Sequence, residues 1–324
     1  MSENTYLKMQ RHMMRILFSK PRYASHVNMA GKKVIVTGAT PGSVGYETAR
    51  ILLEWGAEVT VTTRSRPEEA ASALRAQLPK VKDMVHPARL DLANAKSVKG
   101  FADWYRDHQG EQLDVLINNA GIHLDLLSQW KEPKLSADGF ETHWRTNYLG
   151  TFHLTHLLLP ILQKTGKETR DARVVNVSSH LHQRGSNESL FSAPAHYNSW
   201  SAYGNSKLAL LHHAFEIQRR FGSQYHLHGY ALHPGSIATH ISGRGLEGTG
   251  MIQQIHKALA PLEARILLSP EQGAQTQIHC ATQPHLEGGI YYERCHPAPH
   301  SRDASDAVVA SRLWTESSKW VEGL

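Results

Sequence analysis

The sequence predicts an α/β protein with a doubly wound fold, in which helices cover both faces of a mostly parallel seven-stranded sheet. Short runs rich in β-branched residues alternate with amphipathic stretches from residue 32 to about residue 292, and no linker interrupts them. Alternation of this kind produces parallel sheets. A glycine-rich turn, "TGATPGSVG", joins the first run to the first amphipathic stretch. With 324 residues, 40% of them hydrophobic, the chain can also bury a large core.

Each predicted element is a short segment with its own periodicity. The strands are expected at residues 33–37, 58–63, 83–90, 113–119, 172–179, 227–233 and 288–292. Helices are expected where apolar residues recur at helical spacing, in residues 45–57, 67–78, 94–108, 138–164, 202–221 and 270–282. Ligands of such folds bind beyond the carboxyl ends of the strands, so functional residues are expected at that edge.

The glycine-rich turn contains Gly38, Gly42 and Gly45 in the spacing G-x3-G-x2-G. It follows a strand and begins a helix, and a second strand completes the unit within about thirty residues. The first turn of a helix has unpaired amide donors and the positive end of the helix dipole, which suit an anion. The turn therefore predicts a phosphate site, although an ordinary tight strand–helix turn is compatible with the same residues.

Composition excludes several classes of protein. The net charge is +6, but no basic stripe is interleaved with aromatic residues, so we expect no nucleic-acid partner. Only Cys280 and Cys295 are present, which argues against a disulfide framework and fits a cytoplasmic protein. No H-E-x-x-H or C-x-x-C spacing occurs, and "CHPAPH" at 295–300 is interpreted as a loop, so we expect no metal centre. No apolar stretch is long enough to predict a transmembrane helix.

Residues 1–30 are predicted to form an N-terminal arm. Its stretch 6–18 is basic and amphipathic, a pattern that can make peripheral contact with a membrane surface. The same stretch could instead pack on the body of the protein or on a partner subunit in a homo-oligomer. Two loop-like stretches, 180–200 and 240–265, follow strands at the ligand edge and are candidate substrate lids.

Tyr203 and Lys207 lie four residues apart in "AYGNSKLAL", a spacing that places both on one face of a helix. A nearby ammonium favours phenolate, so Lys207 is expected to lower the pKa of Tyr203 from its usual value of about 10. A phenol tuned in this way can exchange a proton with an alcohol oxygen. A solvated Tyr–Lys pair has the same spacing, so the neighbouring motifs decide the interpretation.

Those motifs lie at the carboxyl ends of other predicted strands. Ser178 and Ser179 end one strand, and a serine there can donate to a substrate oxygen. "NNAG" at 118–121 ends another, and Pro234 and Gly235 follow a third, with Thr239 beyond. Asn147 is a polar residue in a helix otherwise built for the core.

In this order and spacing, the five motifs resemble those of the short-chain dehydrogenase/reductase family. The resemblance covers residues 31 to about 292 and is greatest to the retinol dehydrogenase branch and its WW-domain-oxidoreductase relatives. "THLLLP", "VNVSSH" and "GGIYYERC" are typical of that branch. The resemblance implies one Rossmann-type oxidoreductase domain over residues 31–324.

It also implies a role for each matching residue. Tyr203 would be the general acid and base, and Lys207 would lower its pKa and bind the nicotinamide ribose. Ser179 would orient the substrate oxygen, and Asn147 would hold a water that links Lys207 to solvent. Asp91 would meet the adenine, Asn119 and its neighbours would line the cofactor, and Thr239 would meet the carboxamide. The implied cofactor-binding residues are Gly38, Thr40, Gly42, Ser43, Val44, Gly45, Arg64, Asp91, Leu92, Asn119, Ala120, Gly121, Tyr203, Lys207, Pro234, Gly235, Ile237 and Thr239.

The glycine spacing departs from the family pattern. The usual loop is T-G-x3-G-x-G, and this chain has one more residue between the last two glycines. The extended branch, which includes sugar epimerases, uses T-G-x2-G-x2-G, but "NNAG" favours the first type. We therefore interpret the turn as a phosphate loop with a one-residue insertion. The residue that faces the pyrophosphate stays open among Gly42, Ser43 and Gly45.

The second strand ends in "TTRSRP", which has no carboxylate to bond the adenosine ribose. Arg64 lies where an arginine can pair with the 2′-phosphate of NADP, although an exposed strand-end arginine has the same appearance. NADP(H) is thus favoured over NAD(H).

The sequence predicts an NADP(H)-dependent oxidoreductase that transfers a hydride between nicotinamide and an alcohol/carbonyl pair. The resemblance implies a medium-to-large apolar alcohol or ketone, steroid-, retinoid- or polyketide-like. The alternatives are a sugar-nucleotide epimerase or dehydratase and a non-catalytic NADP-sensing protein. The intact Ser–Tyr–Lys–Asn set disfavours the last.

Overall fold

A single eight-stranded sheet forms the centre of the computed structural model, which describes residues 22–192, 196–237 and 267–324. The strands are β1 (Lys33–Thr37), β2 (Glu58–Thr63), β3 (Val85–Arg89), β4 (Val115–Asn118), β5 (Ala172–Val177), β6 (Leu227–His233), β7 (Tyr291–Glu293) and β8 (His296–Pro297). Their order in the sheet is β3-β2-β1-β4-β5-β6-β7-β8. Neighbours from β3 to β7 pair in parallel, as predicted.

The strand order reverses beside β1, because β2 and β3 extend the sheet to one side and β4 to β7 extend it to the other. Such a reversal opens a crevice at the carboxyl ends of the strands. Loops after β1, β4, β5 and β6 therefore lie along one edge of the sheet. That edge carries the residues predicted to be functional.

Helices cover both faces of the sheet, which confirms the doubly wound fold. They are α1 (Val44–Glu54), α2 (Pro67–Gln77), α3 (Ala95–Gln109), α4 (Gly150–Thr169), α5 (Ser199–Tyr225), α6 (Pro270–Thr282) and α7 (Ala307–Glu322). Apolar residues of α1, α2 and α6 pack in one core, and those of α3, α4, α5 and α7 pack in the other. Within the described residues, none of the helices has both the length and the apolar character needed to cross a membrane.

Two elements extend the prediction. The sheet has an eighth strand because β8 folds back antiparallel on β7 through Arg294 and Cys295, both at positive φ (53° and 60°). Two consecutive residues at positive φ make the kind of turn that matches the twist of a hairpin. Helix α7 was not predicted; its N-cap is Asp306, whose carboxylate accepts from the Val308 and Val309 amides, both at 3.0 Å.

Several histidines are buried in the core. His153 on α4 and His213 on α5 are 1% and 2% exposed. Burial lowers the pKa of His153 to about 4 and that of His213 to about 3. Burial also lowers the pKa of His182 and of His212 to about 4. These imidazoles are therefore neutral at neutral pH.

Three expectations concern residues that lie outside the described part of the chain. This group consists of the basic amphipathic stretch 6–18, the whole of the candidate lid 240–265 and Thr239. The other candidate lid, 180–200, is described except for residues 193–195; it contains two short 3₁₀ helices (His180–Arg184 and Asn187–Leu190) and the start of α5.

Candidate active site

The loop after β1 folds back on itself at the N-terminus of α1. Gly38 and Gly42 have φ of 71° and 77°, which glycine adopts without strain. Ser43 is the helix cap: its hydroxyl donates to the Gly38 carbonyl and accepts from the Tyr46 amide, both at 3.2 Å. The remaining amides of the first helical turn, together with the helix dipole, make a site suited to an anion.

The three glycines of this loop have different surroundings. A Cβ on Gly38 would lie 2.9 Å from the Ala120 Cα, and one on Gly45 would overlap the Asn119 side chain and the Gly38 carbonyl. Gly38 and Gly45 are thus required by close packing against "NNAG". Gly42 is exposed, as is Thr40. The extra residue of the loop lies on this exposed side, and Gly45 faces the interior.

The "NNAG" segment is attached to the end of β1 by Thr37. The Thr37 hydroxyl accepts from the amides of Asn119 (2.9 Å) and Ala120 (3.0 Å), and the Asn119 side chain donates to the Thr37 carbonyl at 2.8 Å. Asn118 is buried and donates to Asn176 of β5 at 2.9 Å. These bonds fix β1, β4 and β5 to one another at the functional edge.

Asn147 and Lys207 meet beside Gly121. A Cβ on Gly121 would lie 3.2 Å from the Lys207 Nζ and 3.4 Å from the Asn147 Oδ1. Because glycine has no Cβ, both side chains have room beside the backbone at this position. Asn147 lies in a π-helical turn, Trp144–Leu149, that leads into α4. Its side chain accepts from the Ile122 amide (2.8 Å) and donates to the Ile122 carbonyl (2.9 Å) and to the Ser206 hydroxyl (3.0 Å). Such turns recur at functional sites.

Ser179 and Tyr203 face each other across the same edge. The two serines after β5 have different partners: Ser178 is buried and donates to the Lys207 carbonyl at 2.8 Å, whereas the Ser179 hydroxyl is hydrogen-bonded to the Tyr203 phenol. Lys207 lies 5.5 Å from the centre of the Tyr203 ring and donates to the Val177 carbonyl at 3.0 Å. The structure therefore brings together Asn147, Ser179, Tyr203 and Lys207.

The pKa of Tyr203 is raised, not lowered as predicted. Burial raises it to about 12, and the hydrogen bond with Ser179 lowers it by less. Lys207 is 4% exposed, and burial lowers its pKa to about 8. The prediction was wrong because it considered the ammonium and not the desolvation of both groups.

A histidine that the sequence did not single out lies against Tyr203. The His123 ring is parallel to the Tyr203 ring, with centroids 4.0 Å apart and an interplanar angle of 14°. His123 follows "NNAG" by two residues, and its side chain is 6% exposed. Its position after the motif was the only signal in the sequence, since the chain has 22 histidines.

The other predicted cofactor residues lie toward β2 and β3. Arg64 is exposed after β2, and its carbonyl accepts from the Arg89 side chain at 3.1 Å. One Asp91 oxygen accepts from the Ala93 amide at 3.0 Å. The Leu92 carbonyl accepts from the buried Arg145 at 2.5 Å, which fixes this loop to the π-helical turn.

Pro234, Gly235 and Ile237 follow β6 at the same edge. Gly235 has φ of 96°, and a Cβ there would overlap Leu268. Ile237 forms a parallel bridge with Leu268 and contacts Gly273 of α6. This segment is therefore packed against the first turn of α6.

Within the described residues, one group of side chains has the composition of a metal site. It consists of His180, His233 and Glu293 at the ends of β5, β6 and β7, with ligand atoms within 4.8 Å of one another. The His180 imidazole and the Glu293 carboxylate are hydrogen-bonded at 2.7 Å. Cys295, His296 and His300 of the "CHPAPH" stretch do not form such a group.

The sequence is similar to one family of enzymes and to several of its members. The short chain dehydrogenase family profile matches residues 32–248. Retinol dehydrogenase 12 of Mus musculus is 36% identical over 298 residues, which cover 90% of this chain and 87% of that protein. Retinol dehydrogenase 11 of Homo sapiens is 34% identical over 314 residues, with coverage of 96% and 92%. Polyprenol dehydrogenase of Mus musculus is 37% identical over 295 residues, with coverage of 88% and 82%.

Solved structures share the fold. An uncharacterized protein from Mycobacterium paratuberculosis superposes with a TM-score of 0.66 at 31% identity, covering 93% of this chain and 96% of that chain. The RhlG/NADP active-site complex of Pseudomonas aeruginosa superposes with a TM-score of 0.60 at 23% identity, covering 84% and 96%. At 23% identity, the superposition on the Pseudomonas aeruginosa structure shows a shared fold and nothing more.

Proposed function

Because the chain belongs to the short-chain dehydrogenase/reductase family, and is thus an oxidoreductase acting on alcohols and carbonyls, we propose that it is NADP(H)-dependent and acts on an apolar alcohol/carbonyl pair. The observation that carries the proposal is the approach of Ser179, Tyr203 and Lys207 at one edge of the sheet. Two hydroxyl groups close to a buried ammonium are suited to exchanging a proton with a substrate oxygen.

In the proposed reduction, the carbonyl oxygen of the substrate lies between the Ser179 and Tyr203 hydroxyls. Both donate to it, which stabilises the negative charge that develops there. A reduced nicotinamide bound at this edge would supply the hydride for the carbonyl carbon. Tyr203 gives its proton to the oxygen, so that the product is a neutral alcohol. Oxidation runs these transfers in reverse, with the Tyr203 phenolate as the base.

Lys207 would return the proton to Tyr203, by way of a water held at the main chain of Asn147. The pKa of Lys207, lowered to about 8, lets this amine gain and lose a proton near neutral pH. The Asn147 side chain is occupied, since both amide protons are donated, to Ile122 and to Ser206. We infer that a relay water at this residue would bind the main chain, and that the side chain positions residues 121–122.

The residues of this edge fit a dinucleotide. The N-terminus of α1 and the exposed Thr40–Gly42 side of the loop would hold the pyrophosphate. Asn119, Ala120 and Gly121 would line the cofactor, and Lys207 would bind the nicotinamide ribose beside Gly121. Pro234, Gly235 and Ile237 would border the nicotinamide, and Asp91 and Leu92 the adenine; the family resemblance assigns the carboxamide to Thr239, which lies outside the described residues.

Substrate class and cofactor preference have separate support. The names of the relatives, retinol and polyprenol dehydrogenases, support a long apolar alcohol or its carbonyl product. Purified protein supplied with NADP(H) and a panel of retinoid, polyprenoid, steroid and sugar-nucleotide substrates would test this by NADPH absorbance. Turnover of the sugar nucleotides alone would contradict the proposal, as would binding of NADPH with no turnover at all.

The preference for NADP(H) can be tested at Arg64. Its side chain is exposed at the end of β2, where it would form an ion pair with the 2′-phosphate of NADPH. A hydrogen bond to a charged group contributes about 1.5–3 kcal/mol. Wild-type protein should bind NADPH at least about tenfold tighter than NADH, since a tenfold ratio corresponds to roughly 1.4 kcal/mol. Arg64→Ala should weaken NADPH binding and leave NADH binding unchanged, as measured by fluorescence titration.

Arg66→Ala is the matched control. Its guanidinium is 78% exposed and already pairs with Glu69 at 3.4 Å. A larger loss of NADPH affinity in Arg66→Ala than in Arg64→Ala would transfer the role to Arg66. Equal wild-type affinities for NADPH and NADH would refute the preference itself.

A further inference from the structure

The loop that carries His123 is held on both sides of this residue. Ile122 is hydrogen-bonded through its amide and its carbonyl to the Asn147 side chain. The Leu124 amide donates to the His143 Nε2 at 2.9 Å, and the other His143 nitrogen is hydrogen-bonded to Glu141 at 2.7 Å. The backbone therefore fixes where the His123 ring lies.

Aromatic contacts fix how that ring is turned. The Trp200 ring is nearly perpendicular to it, with centroids 4.7 Å apart and an interplanar angle of 84°, while the Tyr203 ring lies flat against it. Trp200 is itself fixed, because its indole donates to the Leu126 carbonyl at 3.1 Å and the Arg184 guanidinium lies 5.1 Å from its ring centre. One face of the Tyr203 phenol is thus covered by a ring that is itself held in place.

At this buried position, an imidazole stabilises the fold less than a hydrocarbon ring of similar size would. Its Nε2 is buried and has no hydrogen-bond partner among the described residues. A buried polar atom without a partner is destabilising, and a phenyl ring would fill the same place without that loss. Neither hydrogen bonding nor core stability therefore accounts for this ring, and what it presents to Tyr203 is a flat surface.

His123 remains uncharged at neutral pH. Burial lowers its pKa to about 4, and the nearby His143, Lys207 and Arg184 act in the same direction, whereas Asp125 opposes them. It therefore neither donates a proton to Tyr203 nor adds a positive charge beside the phenol. Its effect on Tyr203 is steric and desolvating.

We propose that His123 is a positioning residue, which holds the plane of the Tyr203 ring and keeps water from one face of the phenol so that its oxygen meets Ser179. The inference rests on the proposed role of Tyr203 as acid and base. It adds a group outside the Ser–Tyr–Lys–Asn set.

His123→Ala and His123→Phe test the proposal in the full chain. His123→Ala should lower kcat at least about tenfold with little change in KM, because a misplaced catalytic group loses up to about a hundredfold. It should also shift the alkaline pH profile of oxidation to lower pH, because water at the phenol favours phenolate. His123→Phe retains a flat ring and should restore both kcat and the pH profile.

His153→Ala is the matched control for a loss of stability. His153 is also buried, has an unpartnered ring nitrogen among the described residues, and faces Arg145 and Lys99. It should lower Tm without moving the pH profile. An unchanged kcat and pH profile in His123→Ala would overturn the proposal, and so would a His123→Phe protein as impaired as His123→Ala.

The double variant separates this inference from the proposed function. If His123 acts through Tyr203, adding His123→Ala to Tyr203→Phe should cause no further loss of kcat, since coupled residues are not additive. An active Tyr203→Phe protein would refute the proposed function itself. The other outcome is a Tyr203→Phe protein that is nearly inactive. If adding His123→Ala then lowers its residual kcat by the same factor as in the wild type, only the role of His123 is refuted.

Discussion

Tyr203→Phe is expected to remove at least a hundredfold of kcat while NADPH still binds. The substitution deletes one oxygen, the one that is hydrogen-bonded to Ser179, and retains the ring that stacks on His123. Positioned proton transfer contributes about 10²–10⁴-fold to rate, so its loss should dominate the kinetics. Cofactor affinity should be nearly unchanged, because Lys207 and the loop after β1 are untouched.

The measurement compares kcat in both directions with the NADPH dissociation constant. Wild-type oxidation should still be rising at about pH 10, since burial raises the pKa of Tyr203 above that of free tyrosine and the phenolate is the base. Reduction needs the protonated phenol and should not require alkaline pH. Ser179→Ala serves as the companion variant and should lower kcat on the order of a hundredfold. A Tyr203→Phe protein with near-normal kcat would rule out the assignment.

Lys207→Met is expected to abolish turnover without destabilising the fold. The amine is 4% exposed, and burial lowers its pKa from 10.5 to about 8. Between pH 8 and pH 10.5 the unfolded chain binds more protons than the folded one, so stability rises with pH in this range. The destabilising effect of this lysine is therefore complete below about pH 8. The effect disappears above pH 10.5. A shift of this size corresponds to roughly 3 kcal/mol, and methionine fills a similar volume.

Urea unfolding at pH 7 should therefore show a free energy of unfolding equal to or above that of the wild type. Part of the gain is offset by the lost hydrogen bond to the Val177 carbonyl, on the order of 1 kcal/mol. Both kcat and NADPH affinity should fall, in contrast to Tyr203→Phe. Lys164→Met, at an exposed ion pair with Glu111, is the control and should change neither activity nor stability by much. Normal turnover in Lys207→Met would contradict the proposed role.

The parallel sheet could be predicted because its strands are encoded locally. Each of β1 to β7 is a short run of mostly β-branched or apolar residues, and strand–helix alternation then requires the carboxyl ends to share one edge. The segments 38–45, 119–121 and 234–235 follow three such strands, so their approach to Ser179 follows from topology. Tyr203 and Lys207 were paired by helical spacing alone.

What could not be predicted depends on contacts between distant segments. The turn before β8 uses Arg294 and Cys295 at positive φ, where no Asn-Gly pair marks a hairpin. The stacking of His123 on Tyr203 joins the loop after β4 to helix α5, eighty residues further along the chain. The direction of the Tyr203 pKa shift depends on how deeply the phenol and the ammonium are buried. By contrast, α7 has a readable pattern in Ala310, Leu313, Trp314 and Val321, which lies past the last predicted strand.

The buried histidines make the fold itself sensitive to acid. In the unfolded chain they take up protons near pH 6.5, whereas in the folded protein His153 and His212 do so near pH 4 and His213 near pH 3. Their stabilising effect is complete above about pH 6.5 and is lost as the pH falls toward those lower values, because the unfolded chain then holds more protons. Tyr203 stays protonated throughout this range. Acidification would thus inactivate the enzyme by unfolding it rather than by titrating Tyr203, the proposed acid and base.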